Sequence, residues 1–251
     1  MMRALCVAMT VWSLAAIAGQ SSTSNPCLEF DRLYAQIRDQ QIDHTSARAR
    51  VRSLLPRIDA YFQDHRATPT PPERWRFPLE GYGAEAIGGT NGSGYVATGY
   101  DYFDGYKSRG HPGHDLFIHD RNRDELDDKT GKPVAVFSIS TGVVVATAAD
   151  WPSDSLLRGG RYVYVYDPAA RGMFYYAHNR AVLVSPGEIV TAGQTIAYVG
   201  RSGRNASAPR SPTHLHVMFL AIDEEGDPKP RDIYQDLVRL GRRPGAHPHA
   251  F

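Results

Sequence analysis

Cysteine is scarce in this chain of 251 residues: Cys6 and Cys27 are the only two. Cys6 lies in an apolar N-terminal run, so the rest of the chain carries a single thiol and no internal disulfide. Cys27 is left to stay free, to pair between chains or to be buried. An excess of one charge is also missing. Lys and Arg number 28 against 27 Asp and Glu, for a formal net charge of +1. That removes the bulk field that draws a chain to nucleic acid or to an anionic membrane. No apolar run reaches the roughly 20 residues needed to span a bilayer. Internal repeats are absent. With 42% hydrophobic and 22% charged residues, the composition is that of an ordinary soluble protein, and function has to come from a local site.

The N-terminus is informative. Met1-Met2-Arg3 is a short basic start, Leu5–Ala18 is almost wholly apolar, and Ala16-Ile17-Ala18 puts small residues where a signal peptidase reads them. Residues 1–18 read as a secretory signal cut before Gly19. This predicts export to the periplasm or the extracellular space, with no stable membrane insertion after cleavage. Neither cysteine lies where lipoprotein processing needs one.

Residues 19–67 form a helical N-terminal segment in this reading, after a polar start over 19–26. Leu33, Tyr34 and Ile37, then Val51, Leu54, Leu55, Ile58, Tyr61 and Phe62, recur at helical spacing. Asp43-His44-Thr45-Ser46 marks a break or cap, and Pro56 is a candidate kink. The segment is expected to pack on the main domain; a pro-segment over the site and a dimerising helix are the other readings. Thr68-Pro69-Thr70-Pro71-Pro72 opens a stiff linker over 68–74. Residues 75–241 then read as one antiparallel β domain, and 242–251 as a loose tail whose His247 and His249 are incidental.

Strands are expected at Val134–Ser138, Gly142–Ala148, Tyr162–Tyr166, Met173–Ala177, Ile196–Val199 and Leu215–Leu220, and a short helix at Asp232–Leu240. Tyr162, Tyr164 and Tyr166 alternate with Val163 and Val165, the period of a two-faced strand. Tyr82, Tyr95, Tyr100, Tyr102 and Tyr106 stand among glycines in loops of the kind that line grooves.

Three histidine clusters carry the chemistry. His214-Leu215-His216 begins the last long strand, where residues two apart share a face. Pro112 and Gly113 disfavour a helix in His111-Pro112-Gly113-His114-Asp115, so an imidazole and a carboxylate sit on a tight loop entering a strand and suit Zn²⁺ as nitrogen and oxygen ligands. Tyr175-Tyr176-Ala177-His178 closes another strand. These motifs, in this order, resemble those of the lysostaphin-type (LytM-like) zinc metallopeptidases over residues 100–221. His111-x-x-x-Asp115, the Lys132-Pro133-Val134 and Thr141–Val144 strand pair, Tyr176-Ala177-His178, the hairpin of Val184–Gly200 and Thr213-His214-Leu215-His216 carry the likeness.

The resemblance implies that His111, Asp115 and His216 bind one zinc ion, with His178 and His214 unliganded beside it as base and oxyanion donor, their roles undivided. It also implies a peptidoglycan peptide cross-link as substrate. No His-Glu-x-x-His helix offers the other common arrangement. The alternative function is a catalytically inactive wall-binding or hydrolase-regulating module of the same fold.

The stretch from Leu116 to Asp128 is longer than compact members of that family need. Asp120, Asn122, Asp124 and Asp128 alternate like the oxygen ligands of calcium loops, but Glu125 stands where such a loop wants glycine. A structural Ca²⁺ site and a solvated acidic loop are both open here. His114 and His119 are expected at the surface. Oligomeric state is not legible.

Overall fold

The computed structural model describes residues 25–242. The proposed signal peptide and the tail histidines lie outside those residues. Among the described residues no helix is long and apolar enough to cross a membrane.

Two helices open the described chain, α1 (Pro26–Arg38) and α2 (His44–Asp64). Asn25 caps α1 through a bond from the Cys27 amide, and Pro26 sits in the first turn, where its missing N–H is harmless. Asp43 caps α2 by accepting from the Ser46 amide. The break expected at Asp43–Ser46 is therefore the cap of a new helix, and α2 runs on through Pro56.

The β strands follow: β1 (His114–Phe117), β2 (Ala135–Phe137), β3 (Gly142–Ala148), β4 (Arg161–Asp167), β5 (Gly172–Asn179), β6 (Ala181–Val182), β7 (Ile189–Val190), β8 (Thr195–Tyr198), β9 (His214–Ile222) and β10 (Pro228–Arg231). Helix α3 (Tyr234–Gly241) closes the described chain. Seven strands form one antiparallel sheet, ordered β1-β9-β5-β4-β3-β7 with β10 beside β9; β2, β8 and β6 form a smaller one. The fold is mainly antiparallel β, with an N-terminal helical arm and a short C-terminal helix.

The large sheet is buried on both faces, and the alternation in its strands says with what. Val163, Val165, Phe174, Tyr176, Val217 and Phe219 point toward the small sheet, Trp75 and Leu237. Tyr162, Tyr164, Tyr166, Tyr175 and Met218 point the other way, toward Phe30, Leu33, Leu54 and Ile58 of the helices. The helical arm thus shares a hydrophobic core with the sheet. His214 and His216 lie in register with Met218 on this second face, so the helices cover one end of it and the histidines occupy the other.

Candidate metal centre

Strand pairing assembles the site. Asp115 lies directly opposite His216 in the β1–β9 pair, and Ala177 lies opposite His216 in the β5–β9 pair. Residues directly opposite share a face, so Asp115 and His216 meet there, with His214 two residues away. His111 is fixed just before β1 by a two-way backbone bridge to Val96. Gly113 is required by close packing: a Cβ there would lie 2.8 Å from His216 Nε2.

The five residues singled out in the sequence come together. Asp115 Oδ1 is 3.2 Å from His111 Nε2 and 3.0 Å from His216 Nδ1. One candidate ligand atom from each of the three lies within 4.8 Å of the others. His214 Nε2 is 3.7 Å from Asp115 Oδ1. The His178 ring is centred 4.9 Å from that of His214 and 6.0 Å from that of His216.

His178 reaches the site through a backbone irregularity. The β4–β5 register shifts between Arg161 and Val163. His178 stands in that gap with φ +66°, left-handed backbone uncommon for a residue other than glycine. Bulges next to active sites re-aim a side chain, and this one turns His178 toward β9.

Carbonyl oxygens set the tautomers. Nδ1 of His111 faces the Gly94 carbonyl at 2.7 Å, Nδ1 of His178 faces that of Ser202 at 2.9 Å, and Nδ1 of His214 faces that of Pro212 at 2.7 Å. A carbonyl only accepts, so each Nδ1 carries the proton and donates. That leaves Nε2 of His178 and of His214 for a ligand or a proton, while Nε2 of His111 faces Asp115.

The electrostatics match a cation site. Burial alone would raise the Asp115 carboxyl, but hydrogen bonds from His111 and His216 and their charge outweigh it and hold the group well below the usual carboxylate range. The bond to Asp115 raises His111. Burial lowers His216 despite the same partner. Burial, then the neighbouring His214 and His216, push His178 down to about 3, so its imidazole is neutral at pH 7. Among the described residues no Arg or Lys pairs with Asp115; its ionic partners are histidines. Two imidazoles and a carboxylate with no competing cation are a donor set that fits Zn²⁺.

Comparison with known proteins bears on this geometry. Residues 125–228 match peptidase family M23. The chain resembles this family over that segment, which is under half of its length. The matched segment holds His178, His214 and His216; His111 and Asp115 precede it and join through β1.

Solved structures with a similar fold include a zinc-containing peptidase from Vibrio cholerae, at 21% identity over 62% of this chain and 38% of that one, TM-score 0.40. The catalytic domain of lysostaphin from Staphylococcus simulans is 19% identical over 64% and 92%, TM-score 0.38. A Ruminococcus gnavus protein assigned as the glycyl-glycine endopeptidase LytM is 20% identical over 88% and 83%, TM-score 0.43. The chain spans well under half the length of the Vibrio cholerae peptidase.

Two sequence expectations change. His114 is buried, not at the surface: its Nε2 meets Asp232 at 2.9 Å and its ring stacks with Tyr95. It anchors the loop before Asp115 to the segment leading into α3. The calcium reading finds no support. The Asp120 carboxylate accepts from the amides of Asp124 and Glu125 and from the Thr213 hydroxyl. Asp124 accepts from the Leu126 amide, and Asp128 from that of Arg121. Those oxygens tie the loop to itself and to the start of β9. Sequence reading missed the Ser202 and Pro212 carbonyls, which leave no signal in side-chain chemistry. It also missed Tyr34 and Arg38 of α1, which line the cleft at the site; helical periodicity marks a buried face but not what that face borders.

Proposed function

We propose that this chain is a peptidase of the M23 type, an exported zinc-dependent endopeptidase that hydrolyses peptide cross-links of bacterial peptidoglycan. His111, Asp115 and His216 are the metal ligands in this reading, and His178 and His214 the two working histidines. The observation that carries it is the grouping of three ligand atoms within 4.8 Å beside two histidines whose Nδ1 atoms are already engaged. Export rests on the N-terminal signal pattern, and the 75–241 domain assignment on the sequence boundaries.

Zinc, when bound, supplies Lewis-acid polarisation and a water more acidic than bulk water. The chain's own residues do the proton work. A neutral imidazole with Nδ1 donating to a carbonyl presents a lone pair at Nε2, and so accepts a proton there. The same ring, once protonated, donates from Nε2 to a developing oxyanion. One histidine therefore serves as acceptor while the other serves as donor.

The test is digestion of purified peptidoglycan with and without a chelator. Release of new amino termini that stops on chelation and returns with Zn²⁺ is expected. No release under any metal condition contradicts the reading.

A further inference from the structure

The cleft that holds the five residues, about 330 Å³ in volume, extends beyond them. Helix α1 supplies part of its wall through Tyr34 and Arg38, opposite Trp151 on the loop between β3 and β4. Apart from the histidines, the charged side chains lining it are Arg38, Arg109, Arg158 and Asp115. Asp115 belongs to the metal centre, so the remainder of the lining is cationic.

Those cations differ in what they have left to give. Asp39 accepts from Arg38 Nε at 2.7 Å and from Nη2 at 2.6 Å, and Tyr162 accepts from Nη1 at 3.3 Å. Arg38 is therefore held in place, its guanidinium 5.3 Å from the centre of the Trp151 ring, with two N–H bonds to spare. Arg109 and Arg158 are exposed and form no ion pair among the described residues. Arg158 donates to the Ser108 carbonyl, and both residues line the cleft.

Two residues of the lining carry a further donor with no partner at all. The Tyr102 hydroxyl and the Trp151 indole Nε1 are buried and unbonded, and Tyr102 is only 3% exposed. A buried donor without an acceptor is a cost, but these two atoms are shut off from the cleft and the recognition falls to the arginines. Unspent guanidinium N–H groups from three arginines between aromatic walls complement a carboxylate on a peptide, which offers about four acceptor positions and suits the planar fork of arginine.

We propose that this wall is a carboxylate-accepting subsite, which makes α1 part of the substrate-binding surface and selects cross-linked peptides bearing a free carboxyl group near the bond to be cut. The proposal rests on the peptidase reading of the adjoining metal centre and adds to it a substrate class and the residues that choose it.

The probe is a bridged muropeptide with free carboxyl groups, compared with the same muropeptide after every carboxyl is converted to the carboxamide. Binding is measured by isothermal titration to the full chain carrying His178→Ala, so that the bound peptide is not consumed. The carboxyl form is expected to bind on the order of tenfold more tightly. Adding Arg109→Gln and Arg158→Gln should erase that preference, while Lys129→Gln, a remote exposed cation, should leave it. These arginines are exposed, so their replacement does not threaten the fold as Arg38→Gln would. Equal affinities, a preference that survives the double substitution, or no binding of either form overturns the proposal. Cleavage by the unsubstituted chain is scored separately. A carboxyl preference without cleavage sinks the peptidase reading and keeps the subsite; cleavage of both forms at equal rates does the reverse.

Discussion

His178 donates through Nδ1 to the Ser202 carbonyl oxygen across 2.9 Å, from a backbone with φ +66°. Strain of this kind persists where the surroundings over-determine it, and it concentrates at functional sites. The bond fixes the ring beside that of His214, 4.9 Å between centres. Replacing His178 with Ala removes one of the two proposed working histidines and none of the three proposed metal ligands. Turnover should fall by roughly a hundredfold or more while zinc content, read by metal analysis, stays at the wild-type level. Full activity in that variant removes His178 from the mechanism.

The Thr213 hydroxyl donates to Asp120 at 2.6 Å, with both residues buried directly before His214. Asp120→Ala strands that hydroxyl and two backbone amides, at a cost of about 1.5–3 kcal/mol for a bond to a charged group. Thermal unfolding should show a lower melting temperature. Added Ca²⁺ should shift neither protein; a calcium-dependent rise in the unsubstituted chain would restore the ion-site reading of this loop.

The helical arm shares its core with the face of the sheet that carries His214 and His216, so it is not a detachable cover. Ile58 is fully buried against that core. Ile58→Ala should cost about 2–5 kcal/mol, the range for such truncations, seen as a lower denaturant midpoint. Removing residues 25–65 should yield insoluble or unfolded protein. A truncated chain that is folded and more active would make the segment an inhibitory pro-region.

Much of this was legible in the sequence, and the gaps have physical causes. The period of two in Tyr162–Tyr166 and in His214-Leu215-His216 predicted the right faces, because side chains alternate along any strand. β3 matches its expected span of Gly142–Ala148. The contact between Asp115 and His216 spans 101 residues and depends on β1–β9 register, which local spacing does not encode. β10 was not expected, since Pro228 and Pro230 weaken any strand pattern; a strand pairing along one side tolerates proline. His114 was misread because an isolated histidine gives no sign of a partner as distant as Asp232.

Cys27, the one cysteine among the described residues, is fully buried in α1. Burial raises its thiol to about 12, against a lowering backbone bond at Gly187. Thiolate is the reactive form, so at pH 8 the folded chain should resist iodoacetamide and the denatured chain should be alkylated quickly. Mass spectrometry of the two samples reads this directly. Rapid labelling of the folded chain would mean that α1 leaves the sheet readily.

Zinc stoichiometry tests the central claim most directly. Protein loaded with Zn²⁺, freed of excess metal and assayed by elemental analysis should carry one zinc ion per chain, and His216→Ala, treated identically, should carry almost none. A metal-free wild-type protein, or full retention of zinc by the folded His216→Ala variant, would contradict the assignment of His111, Asp115 and His216 as the metal centre.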